Sequence, residues 1–325
     1  MSLVSQIRER HGPLRGWFER VLPNLRPLQK AWLAAGSVTV QPEGVERGAL
    51  GIVGAAFDYR ARYYFVRTPV HELAASTGAD RVWRRQEFVY ADTGERLHKL
   101  EERTPFDALA EGLEAFLDIH DPRRRLLGSS EEEALARFCY VLGLYEAKFR
   151  RRVENSRLDG LASDASIDDH LALVNDAEVA DLCALSNAFA AGYSDLFDKP
   201  VTANPHFALS GALGGADADI IVDGCLLDIK TTTQRGMSRE SGYQLLGYLL
   251  ADTHDEHGID RVGFYLARVP AVIALPAAAL VADVSEGQSS LQTLRREFAA
   301  VVSAKAEQTR RRALVGGRVR REDRG

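Results

Sequence analysis

One stretch constrains this chain more than any other: Ile220 to Lys230, reading IIVDGCLLDIK. Two short apolar runs, Ile220-Ile221-Val222 and Cys225-Leu226-Leu227, flank Asp223-Gly224. Asp-Gly suits a two-residue type I′ turn, whose central residues both need positive φ. Such a turn sets the register. Val222 faces Cys225, Ile221 faces Leu226 and Ile220 faces Leu227; farther out, Asp219 faces Asp228 and Asp217 faces Lys230. Side chains alternate along a strand, so Asp217, Asp219, Asp228 and Lys230 are expected on one face. Asp219 and Asp228 then stand opposite each other with Cβ atoms roughly 4.5–5.5 Å apart, where like charges repel. A divalent cation resolves the conflict, because Mg²⁺ takes carboxylate oxygens at roughly 2.1 Å and neutralises the pair.

Asp219, the strand pair and Asp228-Ile229-Lys230 together resemble the D…(D/E)-x-K signature of the PD-(D/E)XK nuclease superfamily. Gln244-Leu245-Leu246-Gly247-Tyr248 resembles the Q-x-x-x-Y element of its RecB-like branch. The resemblance covers Asn175 to Leu275, and it departs from the pattern at Ala218, where the signature carries proline. It implies an α/β fold with a restriction-endonuclease-like α-β-β-β-α-β core, a mixed sheet flanked by helices. It also implies Mg²⁺ or Mn²⁺ held by Asp219, Asp228 and the Ile229 backbone carbonyl. Lys230 orients the attacking water or stabilises developing charge. Gln244 and Tyr248 position substrate, with Arg235, Arg239 and Arg268 as phosphate contacts. Asp217 is either the ion-pair partner of Lys230 or a second metal ligand, and the ion pair is preferred.

In RecB-like enzymes a residue of the first core helix often joins the metal, which makes Glu178 a candidate ligand. Asn175-Asp176-Ala177-Glu178 is also a capping box, and that simpler role is favoured. His206 precedes an expected first strand, Phe207 to Ser210, and is read as structural.

The implied activity is Mg²⁺-dependent hydrolysis of DNA phosphodiester bonds, in repair and processing or in defence against foreign DNA; RNA stays open as a substrate. A second reading is a non-cleaving nuclease-fold subunit that binds nucleic acid or a partner protein. A third is a helical scaffold whose acids hold a structural cation. The intact Asp219, Asp228 and Lys230 favour catalysis.

Length bears on organisation. A chain of 325 residues accommodates about two domains at ~150 residues each. Residues 1–128 read as a mainly helical accessory region that could receive a protein partner. Residues 129–309 read as the nuclease-like core with its preceding helices, and 310–325 as a basic, disordered tail. The formal charge of −5 does not advertise a nucleic-acid binder. Cys139, Cys183 and Cys225 stand far apart without C-x-x-C spacing, which argues against an iron–sulfur cluster, zinc or a disulfide framework. No apolar run is long enough for a membrane span. Charges scattered through residues 1–30 leave no apolar signal segment, so a cytoplasmic protein is expected.

Within the N-terminal half, Leu14, Trp17, Phe18, Val21 and Leu22 recur at helical spacing, as do Leu50, Val53, Phe57 and Tyr64. Phe57, Tyr59, Tyr63, Tyr64 and Phe65 interleave with Arg60, Arg62 and Arg67. The cluster is expected to be a packed helix with its arginines in water rather than a base-stacking platform. Thr104-Pro105 opens another helix, and Ser130 with Glu133 reads as a capping box for the next.

Overall fold

A computed structural model describes residues 2–83, 87–89, 96–98, 103–151, 155–213 and 218–322. Asp217 and part of the basic tail's end lie outside the described residues. The N-terminal half contributes α1 (Leu3–Arg8), α2 (Pro13–Val21), α3 (Arg26–Ala34), α4 (Leu50–Tyr63) and α5 (Ala74–Trp83). A small ribbon of β1 (Glu87–Val89) and β2 (Arg96–His98) follows, then α6 (Pro105–Ile119) and α7 (Ser129–Arg151). After α8 (Ile167–Leu171) come α9 (Asp176–Tyr193), β3 (Val201–Ala203), β4 (Ile220–Val222) and β5 (Cys225–Lys230). The chain ends with α10 (Arg239–Ala251), β6 (Arg261–Leu266), β7 (Ala271–Pro276), α11 (Ala277–Val284) and α12 (Leu291–Glu322).

From α9 to β6 the order is the expected α-β-β-β-α-β. The five strands form one mixed sheet in the order β3-β4-β5-β6-β7. Only β5 and β6 run parallel, as the crossover through α10 requires. The hairpin has the expected register, Val222 opposite Cys225 through Ile220 opposite Leu227. Asp223 and Gly224 have φ of 48° and 76°, as a type I′ turn demands.

The strand expected over Phe207–Ser210 is a turn instead. The Ser210 hydroxyl accepts from the Phe207 N–H at 3.0 Å, while the Phe207 carbonyl accepts from the Ser210 N–H at 2.9 Å. Val201–Ala203 takes the edge of the sheet in its place, pairing with β4.

Helices cover both faces of the sheet. Ile221, Leu226, Val262 and Phe264 face α1–α3 and α10–α12 in one core, where Trp17, Phe18 and Phe298 meet ring to ring. Tyr265 and Ala267 point the other way, into a second core built by α4, α7 and α9. Residues on both sides of position 128 share both cores, which form a three-layer α/β/α body. The aromatic run of α4 is core, as expected: Phe57, Tyr59, Tyr63 and Tyr64 are buried. Its arginines do not all reach water. Arg60 is 1% exposed and paired with buried Glu132, its Nε donating at 2.6 Å, and its guanidinium lies over the Tyr64 ring. The region expected to be a disordered tail continues α12 as helix to Glu322.

Arg268, expected at the substrate, is instead a structural knot. It is 1% exposed and makes a two-pronged pair with Asp181 of α9 at 2.8 and 2.7 Å. Its Nε donates to the Thr231 carbonyl just past β5, and Nη1 donates to the Val40 carbonyl. Burial with every branch engaged removes it from any phosphate contact. Breaking such a pair by truncating one partner costs about 3–5 kcal/mol. Asp181→Ala should therefore lose about that much stability in urea denaturation. Arg235→Ala, at an exposed loop position, should stay within about 0.5 kcal/mol of the parent. Equal stability of all three proteins would show that the buried pair holds nothing together.

Candidate active site

The expected acids meet at the carboxyl end of β5, where open α/β sheets ordinarily receive ligands. The ladder of β4 and β5 stops at Ile220, and Asp219 turns its side chain onto the neighbouring strand. Asp219 Oδ2 accepts the Ile229 N–H at 2.6 Å, and its carbonyl accepts the Asn204 N–H at 3.0 Å. Asp228, 1% exposed, lies within hydrogen-bonding reach of the Asp219 carboxylate. Its Oδ2 is 2.5 Å from Lys230 Nζ, yet this buried oxygen makes no hydrogen bond of good geometry.

Alternation along β5 places Asp228 and Lys230 on the face of Leu226, over which α10 packs. Lys230 Nζ donates to Gln244 Oε1 at 3.1 Å, and Gln244 Nε2 donates to the Tyr248 hydroxyl at 2.8 Å. The four-residue spacing on α10 makes this relay possible. Burial, with Asp228 and Asp219 nearby, holds the Tyr248 phenol well above its ordinary pKa.

Helices of the N-terminal half complete the cluster from the other side. Gly54 lets α4 approach the strand end, since a Cβ there would lie 2.6 Å from Thr231 Oγ1. Asp58 and Arg62 follow one and two turns along the same face. Arg62 Nη2 is 2.5 Å from Asp58 Oδ2 and 3.9 Å from Asp219 Oδ1, while Nη1 donates to Asn204 Oδ1 at 3.3 Å. Glu146 of α7 accepts from Arg150 and hydrogen-bonds with Tyr59. Sequence reading missed Asp58 and Glu146 and turned Arg62 toward water. The one signal available was the i,i+4 pair of Asp58 with Arg62, and nothing in the sequence says which surface that pair meets.

Glu178 lies in a different network. Its carboxylate accepts from Tyr140 at 2.7 Å, from Arg157 at 2.6 and 2.7 Å, and from the Asn175 N–H at 2.9 Å. The capping role stands, with an ion pair added, and these donors occupy the oxygens a metal would need. Arg235 and Arg239 are exposed beside the site, Arg239 donating to the Tyr243 hydroxyl. Ile229 takes part through its N–H to Asp219.

Among the described residues, no three His, Cys, Asp or Glu side chains gather closely enough to hold a metal by themselves. The donors nonetheless fit a small hard cation. Mg²⁺ keeps several waters and needs only one or two carboxylates from the protein. Asp58 Oδ1 is a buried oxygen without a hydrogen-bond partner, and Asp228 Oδ2 is held by its ion pair with Lys230 alone, so both carboxylates keep lone pairs for a cation.

No known family profile matches the chain, and neither a curated protein nor a solved structure matches it. Among the described residues no helix is long and apolar enough to cross a membrane.

The cluster's electrostatics give a measurable sign. Burial raises the Asp58 pKa to about 8, with Asp219 and Glu146 adding to the rise against the lowering pull of Arg62. Burial raises Asp228 to about 7, against the lowering effect of Lys230 and with Asp219 adding to the rise. Unfolded, both groups release their protons near 3.8. Between that value and about 7–8 the folded state holds more protons, so stability falls as pH rises. The melting temperature of protein kept in EDTA should therefore drop from pH 5 to pH 8. Asp58→Asn and Asp228→Asn should each flatten the slope; a parent more stable at pH 8 than at pH 5 would mean these carboxyls fold already ionised.

Proposed function

We propose that this chain is a divalent-metal-dependent nuclease that hydrolyses DNA phosphodiester bonds, with a restriction-endonuclease-like core of the RecB-like kind. The observation that carries the reading is the continuous contact Asp219–Asp228–Lys230–Gln244–Tyr248 at the end of β5. Each member of the resembling signature touches the next. Chance occurrence of D-x-K and Q-x-x-x-Y in one sequence would not bring the two motifs into hydrogen-bonding contact.

Asp219 and Asp228, with the Ile229 carbonyl, would hold Mg²⁺ or Mn²⁺, which would supply a water of lowered pKa and offset charge on the phosphoryl oxygens. The protein's own task is positioning. Asp219 is pinned by the Ile229 N–H, so one oxygen keeps a fixed direction. Lys230 is steadied by Gln244 and aims its ammonium at the charge that develops as the phosphoryl group is attacked. Tyr248 fixes the Gln244 amide in turn. Arg235 and Arg239 stand exposed on the flank and take substrate phosphates.

The test is incubation of purified protein with linear, circular and single-stranded DNA in Mg²⁺, Mn²⁺ or EDTA. Cleavage is expected with either metal and none in EDTA. Binding in EDTA without cleavage under any metal would favour the non-cleaving subunit. Asp219→Asn and Asp228→Asn should abolish cutting. Lys230→Ala should lose a factor on the order of 10² while keeping its Mn²⁺ affinity by calorimetry.

Glu178→Gln provides the contrast. It removes the charge opposite Arg157 and should cost about 1–3 kcal/mol of stability, with cleavage by the folded protein unchanged. Steep loss of cutting in a stably folded Glu178→Gln protein would return Glu178 to the metal site.

A further inference from the structure

Beside the candidate site lies a cleft of about 800 Å³, between the α1–α2 corner and the loop that follows β5. Arg8, Arg10, His11 and Arg15 line one side, and Gln234 and Ser238 the other. Glu19 and Glu240 complete the lining, so no apolar side chain is present. Small-molecule pockets are lined mainly by apolar groups with a few polar ones. This cleft offers such a ligand nothing to bury against.

Local structure explains why the basic residues gather here. Leu3 packs at Gly247, and Arg8 lies close enough to Glu240 to lower its pKa together with Arg15. Thus α1 runs antiparallel to α10, and its basic end reaches the start of that helix. Arg15 is neutralised by Glu19 at 2.5 Å and Glu240 at 2.8 Å. Arg8, Arg10 and His11 are exposed. They form no ion pair among the described residues. Exposed Arg239, on the first turn of α10, lies over the same Tyr243 ring as Arg15 and adds a further cation near the cleft. The amino end of α10, capped by Ser238, adds its positive dipole end.

The cleft lies one helical turn along α10 from the acid cluster. Glu240 in the cleft and Gln244 on Lys230 are four residues, about 6 Å, apart. The loop from Thr231 to Ser238 leads directly from Lys230 to the cleft wall.

We propose that the cleft carries the phosphodiester backbone of a nucleic-acid strand away from the candidate site, with Arg8 and Arg10 as its phosphate contacts. This rests on the nuclease reading for the strand's origin, while the cleft's chemistry alone selects a polyanion. Phosphate contacts release counterions, so each lowers the slope of log affinity against log salt by about 0.7–0.9 when removed.

The experiment measures binding of a single-stranded oligonucleotide in EDTA across a salt series. Arg8→Ala/Arg10→Ala is compared with Arg47→Ala/Arg296→Ala, which removes two exposed arginines elsewhere. The cleft variant should lose about 1.4–1.8 in slope and on the order of tenfold in affinity, and the control variant neither. A charge-reversed Arg10→Glu protein should bind more weakly still. Equal losses in the two double variants, or none in either, would overturn the assignment. So would a mononucleotide that competes as well as the oligonucleotide at equal phosphate concentration. A parent that cuts DNA alongside a cleft variant with parental slope refutes the cleft alone. A parent with cleft-dependent binding that never cuts refutes the hydrolytic reading and leaves the cleft standing.

Discussion

The guanidinium of Arg268 ties down the segment that follows the sheet's central strand, β5, and joins it to what surrounds that end. A buried cation is expensive unless its donors are matched, and here Asp181 supplies the charge while the Thr231 and Val40 carbonyls take further donors. The Arg268 carbonyl in turn accepts from the Thr39 and Val40 N–H groups. One residue past β6 therefore ties α9, the segment after β5 and the strap near residue 40 into a single unit. Lys230 is the residue before Thr231, so its backbone is held from behind before any ligand arrives. The role proposed for Lys230 needs such backing, because small displacements of a charge stabiliser weaken its effect steeply.

In front of that support the chain carries a deliberate electrostatic conflict. Asp219 and Asp228 are in contact, Asp58 adds a third carboxyl, and among the described residues Lys230 and Arg62 oppose them at close range. Neither cation fully satisfies its neighbour. Asp58 Oδ1 and Arg62 Nε remain buried without hydrogen bonds, and Asp228 Oδ2 has its ion pair with Lys230 alone. Unpaired polar atoms cost about 1–3 kcal/mol each, and folds usually eliminate them. Their concentration at one strand end is what the proposed active site would require, since folds give up stability at functional sites. The Arg268–Asp181 knot a few residues away has every carboxylate oxygen matched, and so makes the contrast within one molecule.

How much of this was legible in the sequence follows from how local each feature is. Asp223-Gly224 dictates its turn by φ alone, and the register of the whole hairpin follows, down to Ile220 opposite Leu227. The Gln244–Tyr248 pairing is likewise local, since four residues of helix bring them together. Other features depend on distant partners. Phe207–Ser210 has the composition of a strand, but Ser210 closes a turn onto Phe207 and the sheet edge goes to Val201–Ala203. Arg60 and Arg268 read as surface charges because their partners, Glu132 and Asp181, lie 72 and 87 residues away. Glu178 was correctly placed as a capping residue, whereas its tie to Arg157 was invisible until α9 was set against the preceding loop.

The same distinction explains why the N-terminal half cannot be a passive neighbour of the acids. A sheet with two apolar faces must be covered on both, and the chain uses α1–α3 for one face and α4 for the other. Covering the strand end then brings helix side chains to it by geometry alone. Positions 54, 58 and 62 share one face of α4, and the first must be small because Thr231 is in contact there. The next two are therefore carried to the acid cluster, whatever their identity. At those positions the chain has an acid and a base, Asp58 and Arg62, where apolar residues would have closed the site more cheaply. That choice is what joins the helical half to the chemistry at β5. It also explains why Asp58 and Arg62 are tied to each other at 2.5 Å while Arg62 stays within 3.9 Å of Asp219. The pair keeps each charge partly neutralised in a desolvated place, and it leaves Asp219 beside a cation that does not consume its hydrogen-bonding capacity.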